Sequence, residues 1–222
     1  MSFKSEAFLK SEFGIDESVL RISNMAEKEI ENLFKSIESV REYNQLKVIK
    51  AMQSNKVSDS HFGGTTGYGY DDRGREVLDS VYAHVFRAED AFVRHNIVSG
   101  TQALAVCLFG NLRPGDELLC ITGKPYDTLE EVIGIRGEGG GSLKEFGITY
   151  NQVDLLPDGD IDMEGIKAAI SNKTRMVLIQ RSRGYSWRSS IKLDNMEKVI
   201  SFIKALKSDI IVMVDNCYGE VV

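Results

Sequence analysis

Hydrophobic and polar residues follow a helical rhythm in the first part of the chain. From Val19 to about Met52, charged residues surround apolar ones that recur every three or four positions, which predicts one or two amphipathic helices. Neither proline nor glycine occurs between Asp16 and Asn55, so we expect this segment to pack as a helical arm on the residues that follow. The apolar positions are Ile22, Met25, Ile30, Leu33, Phe34, Ile37 and Val40.

Beyond a glycine-rich break at residues 62–74, short apolar runs alternate with helix-length segments. Two of the runs are apolar at every position, which is typical of strands buried on both faces of a parallel sheet. Repeated units of this kind predict an α/β fold, a mostly parallel sheet flanked by helices. The predicted strands are Ala91–Val98, Glu117–Thr122, Ile148–Val153, Arg175–Gln180 and Ile210–Val214. Helices are predicted to begin near Thr101, Thr128, Asp162 and Asp194, the last with a capping pattern formed by Asp194 and Glu197.

The predicted sheet is unfinished where the sequence stops. Val222 follows a buried strand by a few residues, with no closing helix after it. We therefore expect these residues to be the N-terminal part of a longer protein, and the alternative is a chain completed by a partner. Within it we place a helical arm at residues 1–60 and an incomplete α/β domain at residues 61–222.

The balance of charge disfavours some classes of partner. The chain has 27 Lys and Arg against 33 Asp and Glu, a net charge of -6, so no net basic field favours nucleic acid. The longest apolar stretch, Ala103–Leu112, is far shorter than the about 20 residues that cross a bilayer, and the start lacks the apolar core of a secretion signal. We expect a cytoplasmic protein with no membrane or nucleic-acid partner.

Cysteine and histidine give no sign of a metal or disulfide framework. The three cysteines are widely spaced and form no C-x-x-C pair, and the three histidines show no ligand spacing. An odd, dispersed set of cysteines fits a reducing compartment. We predict no metal site.

Two of the turns that follow predicted strands carry residues suited to a ligand. Ser99-Gly100-Thr101 leads straight into an apolar helix, where free backbone N–H groups and the helix dipole favour a phosphate. The alternative is an ordinary capped helix. Tyr126 precedes the next helix, and its ring either lies over a planar ligand or covers the edge of the core.

Two later turns are also candidates. The segment Gln180–Arg188 holds three arginines, two aromatic residues and two serines, which suits binding of a carboxylate or phosphate but also suits a solvated loop. Asp215 ends a fully apolar strand, where a carboxylate faces the ligand crevice of an α/β sheet or else caps the next turn. The glycine run at 137–141 does not spell a dinucleotide fingerprint.

Three of these signals, in this order, resemble the large domain of fold-type-I pyridoxal-phosphate enzymes of the cystathionine β-lyase and methionine γ-lyase group. They are Ser99-Gly100-Thr101, Tyr126 and Val214-Asp215-Asn216. Longer stretches resemble more narrowly the branch of aluminium-resistance or methionine γ-lyase family proteins. These stretches are Gly67–Arg75, Gly134–Leu143, Gln180–Arg188 and Val214–Glu220.

The resemblance implies a role for each of these residues. Gly100, Thr101 and Gln102 would bind the phosphate of pyridoxal 5'-phosphate at a helix N-terminus. Tyr126 would stack on the pyridine ring, and Asp215 would pair with the ring nitrogen, which makes these two the implied catalytic residues. A carboxylate that keeps this nitrogen protonated lets the ring accept the electrons released when an amino acid loses its α-proton.

The resemblance also implies contacts from a neighbouring subunit in a homodimer or homotetramer. In the wider group a Tyr-x-Arg pair reaches the phosphate, whereas Tyr70 and Arg73 here are separated by two residues. We therefore carry over Arg73 alone as a phosphate ligand, and Tyr68 and Tyr70 remain alternatives for the tyrosine. Tyr70 and Arg183 are predicted to contact the amino-acid substrate.

The implied activity is that of a carbon–sulfur lyase acting on a sulfur-containing amino acid by β- or γ-elimination. The group places its Schiff-base lysine after the strand that ends in Asp215, so we expect that lysine beyond residue 222 and expect this chain alone to be inactive. The alternatives are another fold-type-I activity such as an aminotransferase, or a catalytically inactive fragment or partner protein. A nicotinamide-binding domain is disfavoured by the missing glycine fingerprint.

Overall fold

A computed structural model describes residues 3–69, 72–138 and 140–220, with the backbone alone for residues 3 and 4. The described chain divides into two compact units, one that extends to Val93 and one from Arg94 to Glu220. The first unit includes a helix beyond residue 60, so these units do not coincide with the division predicted at residues 60 and 61. The helix stays with the preceding residues because the two share a small core.

The first unit is helical, as its apolar rhythm predicts. Asp16 caps its second helix, accepting a hydrogen bond from the backbone N–H of Ser18 at 2.8 Å. A small core of Ala51, Val81 and Val85 packs the third helix on the fourth. The helices are α1 (Phe3–Phe13), α2 (Glu17–Glu29), α3 (Glu31–Ser54), a short 3-10 helix (Asp59–Phe62) and α4 (Arg73–Phe86).

The arm packs on the residues that follow it, as predicted, but its apolar stripe is exposed over most of its length. All seven of its predicted apolar positions are between 41% and 63% exposed. Packing on α4 is confined to the end of α3, at Val48 and Ala51. We call the uncovered part the exposed α3 face, which consists of Leu33, Phe34, Ile37 and Val40 of α3 and its N-cap residue Ile30.

The second unit contains a sheet of four parallel strands in the order β2-β1-β3-β4. Strand β3 is central, and its residue Val177 lies between Leu119 of β1 and Val212 of β4. Because neighbours flank it on both sides and helices cover both faces, nearly all of β3 is buried, which explains its apolar sequence. The strands are β1 (Glu117–Cys120), β2 (Thr149–Gln152), β3 (Thr174–Gln180) and β4 (Ile211–Asp215).

Helices cover both faces of this sheet, which confirms the predicted α/β class. On one face, Leu108 and Leu129 of the first two helices pack with Leu118 and Leu178 of the strands. On the other face, Ile203 of the last helix packs with the opposite sides of the same strands. The helices are α5 (Gly100–Asn111), α6 (Asp127–Ile133), α7 (Met163–Ala169) and α8 (Leu193–Leu206).

Two local predictions are wrong. Residues 91–98 are not a strand but a loop with a turn at His95 and Asn96, and Phe92 and Val98 are 64% and 81% exposed. The polar residues in the middle of this run break its apolar pattern, so it has no face to bury. Helix α8 begins at Leu193, and its N-cap residue makes no side-chain capping bond, so the predicted Asp194 cap is absent.

The sheet has a switch point between β1 and β3. The chain runs from β1 to β2 on one side and then returns across β1 to add β3 on the other side. In open α/β sheets a crevice forms at this point, outside the carboxyl ends of the strands. In the described ranges, no helix is long and apolar enough to cross a membrane.

Candidate functional site

The N-terminus of α5 is open to an anion. Ser99 is its N-cap and accepts a hydrogen bond from the backbone N–H of Gln102 at 3.1 Å. Gly100 and Thr101 are the first helical residues, whose N–H groups have no partner inside the helix. A Cβ added to Gly100 would meet no atom within 4 Å, so a ligand can approach the backbone closely there.

Gln102 has a local role that the sequence did not reveal. Its side-chain Oε1 accepts a hydrogen bond from the backbone N–H of Val98 at 2.8 Å. The side chain thus supports the turn into α5, which is a capping role. The prediction that Gln102 holds a phosphate stays a prediction, with its Oε1 already engaged.

The starts of α5 and α6 lie together. The hydroxyl groups of Thr101 and Thr128 are 2.7 Å apart and share a hydrogen bond. Tyr126 is the N-cap residue of α6 and is half-buried. The predicted phosphate and ring contacts therefore lie on neighbouring helix ends beyond the carboxyl end of β1.

One face of the Tyr126 ring is covered by a second tyrosine. Tyr126 and Tyr185 stack with ring centroids 5.8 Å apart and an angle of 28° between the planes. The hydrogen bond to Tyr185, followed by burial, raises the pKa of Tyr126 to about 12. Tyr185 itself is 87% exposed. Tyr126 is thus neutral at physiological pH and already has an aromatic neighbour.

An ion pair between an exposed lysine and a buried glutamate supports the loop that carries Tyr126. Nζ of Lys124 lies 2.9 Å from Oε2 of Glu130, whose residue is 5% exposed. The backbone carbonyl of Glu130 also accepts hydrogen bonds from the N–H groups of Gly134 and Ile135, each at 2.9 Å. Glu130 therefore connects both ends of α6, and no sequence pattern predicted its burial.

Asp215 ends β4, as predicted, and one of its carboxylate oxygens makes no hydrogen bond with a described residue. Its Oδ1 accepts a hydrogen bond from the backbone N–H of Cys217 at 3.2 Å. The Cys217 thiol has a raised pKa, because of its burial and the nearby carboxylates of Asp215 and Glu220. Asp215 can thus receive a second donor.

The three arginines of the segment after β3 have three different environments. Arg181 donates to the side-chain oxygen of Asn216 at 2.8 Å and to the carbonyl of Gly219 at 2.7 Å, so it clamps the turn after β4. Arg183 is exposed, and its guanidinium contacts no described residue through a hydrogen bond or ion pair. Arg188 is half-buried, and burial lowers the pKa of its guanidinium.

A cavity of about 500 Å³ lies beside Arg188. Its walls come from the ends of β1 and β2 and from the loops that follow β2 and β3. Within the described ranges no three His, Cys, Asp or Glu side chains gather as they would around a metal ion. The lining residues are Thr122, Gly123, Asp154 and its successors to Gly159, and Trp187, Arg188 and Ser189.

The remaining predicted residues belong to the first unit. Arg73 opens α4 and is exposed. The neighbouring Arg75 is engaged instead, with Nη1 2.9 Å from Oδ1 of the buried Asp72. A hydrogen bond from Thr65 is the main reason that the pKa of Asp72 lies below its usual range. Tyr70 lies outside the described residues.

The structure thus brings together Thr101 and Tyr126 through the contact of their helix ends, and it adds Tyr185 to them. The segment Gln180–Arg188 was a candidate because of its composition, but composition did not distinguish Arg188 from Arg183. No sequence signal singled out Tyr185 from its neighbours.

Comparison with known proteins agrees with the resemblance that the sequence motifs indicate. The profile of the methionine gamma-lyase family matches residues 19–222. The uncharacterised protein YnbB of Bacillus subtilis (strain 168) is 53% identical over 197 residues, which are 88% of this chain and 47% of YnbB. The family match begins within α2 and includes the α/β unit.

Two solved structures are similar in both sequence and fold. A candidate cystathionine beta-lyase involved in aluminium resistance from Listeria monocytogenes strain 4b F2365 is 51% identical, with a TM-score of 0.87 over 91% of this chain and 50% of that chain. A carbon–sulfur lyase involved in aluminium resistance from Clostridium novyi NT is 45% identical, with a TM-score of 0.90 over 100% and 53%. The chain spans about half the length of these relatives.

Proposed function

This chain belongs to the methionine gamma-lyase family, and from that premise we propose that it supplies cofactor-binding residues to a pyridoxal-phosphate-dependent carbon–sulfur lyase. The family match over residues 19–222 carries the proposal. The substrate is a sulfur-containing amino acid, from which the enzyme removes the α-proton and then the sulfur-bearing group by β- or γ-elimination.

The N-terminus of α5 fits the phosphate of this cofactor. The N–H groups of Gly100 and Thr101 and the positive end of the helix favour an anion, and the space beside Gly100 admits one. The Thr101 hydroxyl, which is shared with Thr128, is a further donor. These observations support phosphate binding by Gly100 and Thr101.

Tyr126 and Asp215 fit the pyridine ring. Tyr126 already stacks on an aromatic ring in this structure, and Asp215 has an oxygen ready to accept a hydrogen bond from a ring nitrogen. When bound, pyridoxal phosphate supplies an electron-accepting ring for the α-carbon chemistry. Asp215 would hold the proton on the ring nitrogen, and Tyr126 would keep the ring in place.

The remaining parts of the site come from beyond residue 222 and from a neighbouring subunit. We place the lysine that binds the cofactor covalently beyond residue 222. The enzyme is a homodimer or homotetramer in the cytoplasm, in which Arg73 of a neighbouring subunit reaches the phosphate and Tyr70 contributes to substrate binding.

A cofactor titration tests this function. The gene would be expressed to its natural stop codon, and the absorbance of bound pyridoxal phosphate would be followed together with release of ammonia and keto acid from sulfur amino acids. The variant D215N should weaken cofactor binding or turnover by roughly 10- to 150-fold, as the loss of a charged hydrogen bond implies. Asp209 precedes the amino end of β4 and is paired with Arg175, so D209N is the matched control.

The outcomes separate the proposal from its alternatives. Amino-group exchange with a keto acid, without release of ammonia, would reassign the protein as an aminotransferase. Failure of the wild-type protein to bind pyridoxal phosphate would refute the cofactor assignment, and equal losses in D215N and D209N would refute the role of Asp215.

A further inference from the structure

The turn that follows Asp215 contains a strained residue. This turn consists of residues 216–219, and we call it the β4 turn; the backbone N–H of Gly219 closes it by donating to the carbonyl of Asn216 at 2.9 Å. Tyr218 has a φ of +70°, a left-handed conformation that bulky side chains rarely adopt. Such a conformation persists only where the surrounding structure holds it. The β4 turn therefore needs support from outside itself.

Arg181, which follows β3, supplies this support on both sides of the strained residue. Its Nη1 donates to the side-chain Oδ1 of Asn216 at 2.8 Å and to the carbonyl of Gly219 at 2.7 Å. Hydrogen bonds from a charged donor are roughly twice as strong as those between neutral groups. One guanidinium therefore joins the first and last residues of the β4 turn.

Arg181 is anchored to the core on the side away from the turn. Its Nε donates to the carbonyl of Ile191 at 3.3 Å, and the N–H of Ile191 donates to the carbonyl of Arg181 at 3.0 Å. Ile191 is buried among the apolar residues on one face of the sheet. The N–H of Arg181 also donates to the carbonyl of Asp215 at 3.0 Å. The guanidinium therefore connects a fixed part of the fold to the β4 turn.

Gly219 leaves room for this guanidinium. A Cβ added at Gly219 would collide with Nη1 of Arg181 and would lie 2.6 Å from Oδ1 of Asn216. The φ of Gly219 is not positive, so the close contact, rather than the backbone conformation, is what requires a glycine here. An alanine at this position would displace the guanidinium and leave its charge in the protein.

The β4 turn holds the carboxylate of Asp215. The N–H of Cys217, the second residue of the turn, donates to Oδ1 of Asp215 at 3.2 Å. The other carboxylate oxygen is the one that the proposed function assigns to a ring nitrogen. If the turn opened, Cys217 would release Oδ1 and the carboxylate would rotate freely. The contacts thus run from Arg181 through the turn to Asp215.

We propose that Arg181 is a positioning residue for Asp215. It holds the β4 turn so that the N–H of Cys217 fixes one carboxylate oxygen and the second oxygen stays available to a donor in the crevice. The effect on cofactor binding rests on the proposed lyase function. The hold on the turn does not, because all of its contacts lie within this chain and need no cofactor.

Amide hydrogen exchange of the full-length, cofactor-free protein tests the hold on the turn. In R181M and in G219A, peptides that cover residues 215–220 should exchange about tenfold or more faster than in the wild type, because bonds from a charged donor are lost. Peptides from β1 and β3 should exchange as in the wild type, which shows that the sheet is intact. G219A keeps the arginine, so it separates the contact from the charge.

Two variants are matched controls for these changes. Arg113 also donates to three backbone carbonyls but lies before β1, at the opposite end of the sheet. A Cβ added to Gly110 meets no atom within 4 Å. R113M and G110A should therefore leave the exchange of residues 215–220 unchanged.

Relief of the strain provides a complementary test. Asparagine tolerates the left-handed conformation better than tyrosine does, so Y218N should make the turn less dependent on Arg181. The double variant R181M/Y218N should regain part of the exchange protection that R181M loses. A loss of protection as large as that of R181M would contradict the role of the strained residue.

Titration with pyridoxal phosphate tests the link to Asp215. R181M should weaken cofactor binding to the full-length protein about tenfold. D215N removes the group through which Arg181 is proposed to act, so R181M/D215N should bind the cofactor as weakly as D215N and no more weakly. Residues that act independently would instead give losses that add in free energy.

Three results would overturn this inference. The first is exchange of residues 215–220 at the wild-type rate in either R181M or G219A. The second is faster exchange throughout β1 and β3 as well, since Arg181 would then support the whole sheet. The third is additive losses in R181M/D215N. Faster exchange of the turn in a protein that fails to bind pyridoxal phosphate would preserve the hold on the turn and remove the lyase function, so the two hypotheses fail separately.

Discussion

At the residue scale, the contact between Tyr126 and Tyr185 determines how the phenol of Tyr126 ionises. A hydrogen bond from one phenol to the other favours the neutral form, which is why the pKa of Tyr126 is about 12 rather than the ordinary value of 10. A folded-state pKa above the unfolded one gives stability that is complete below pH 10 and disappears as the pH rises towards 12.

The first prediction follows from this contact. Y185F should lower the pKa of Tyr126 towards 10, because the phenol that interacts with it is removed. It should also reduce the loss of stability between pH 10 and 12. Phenolate absorbance of wild type, Y185F and the double variant Y126F/Y185F isolates the titration of Tyr126. An unchanged difference spectrum in Y185F would mean that the stacked pair does not exist in solution.

A second prediction concerns the ion pair behind Tyr126. K124M leaves the buried Glu130 carboxylate with only the distant Arg136, 3.9 Å away, and should destabilise the protein by about 1–3 kcal/mol. E130Q removes the buried charge and leaves an exposed lysine, so it should cost less. Urea unfolding of both variants gives the two free energies, and a larger cost for E130Q would contradict this account.

The third prediction uses cysteine reactivity to probe Asp215. Cys107 is exposed and Cys120 is buried, with a pKa raised to about 12 by burial. Alkylation should thus modify Cys107 first, Cys217 more slowly and Cys120 only after unfolding. In D215N, Cys217 should react several-fold faster because a nearby negative charge is lost, which mass spectrometry of digested protein would show. Cys107 serves as the internal control.

The sequence could identify those candidate residues that lie at or directly beyond the end of a predicted strand. Tyr126 and Asp215 lie beyond β1 and at the end of β4 because their strands end where the apolar runs end. Which arginine of the segment Gln180–Arg188 is exposed depends on the path of one loop, in which Gly184 adopts a φ of +55°. A linear pattern contains no information about which guanidinium that path leaves exposed.

At the element scale, buried apolar runs are what made the sheet predictable. The four strands and the starts of the helices between them agree with the sequence to within a few residues, and the similarity to the Listeria and Clostridium structures confirms the fold-type-I large domain. The predicted strand at residues 91–98 is wrong because polar residues interrupt its apolar content, and the backbone N–H of Val93 donates to the Asp79 carboxylate at 2.7 Å rather than to a strand.

The fourth prediction compares two residues of α8. Ile203 is fully buried between the helix and the sheet, whereas Ile200 is only partly buried. I203A should cost about 2–5 kcal/mol of unfolding free energy, and I200A should cost less than half as much. Thermal or urea unfolding measures both. Equal costs would show that α8 does not pack as the structure describes.

At the scale of the whole molecule, the exposed α3 face is an apolar surface that a monomer rarely leaves uncovered. The fifth prediction is that the 222-residue chain binds a hydrophobic dye such as anilinonaphthalene sulfonate and that I37E/V40E reduces this binding. Both residues are about half-exposed, so the double variant should keep its helical circular dichroism. Dye binding that is unaffected would place the apolar surface elsewhere.

The strand order β2-β1-β3-β4 also determines the order in which the strands can pair while the ribosome synthesises the chain. Strand β1 leaves the ribosome and can pair with β2 before β3 has been synthesised. The edge of β1 that later pairs with β3 is therefore unpaired during this time. At about 5–20 residues per second, the interval between Tyr126 and Arg188 lasts several seconds. The two sides of the crevice therefore meet only after this interval, and until then a nascent chain exposes a strand edge that a chaperone can protect.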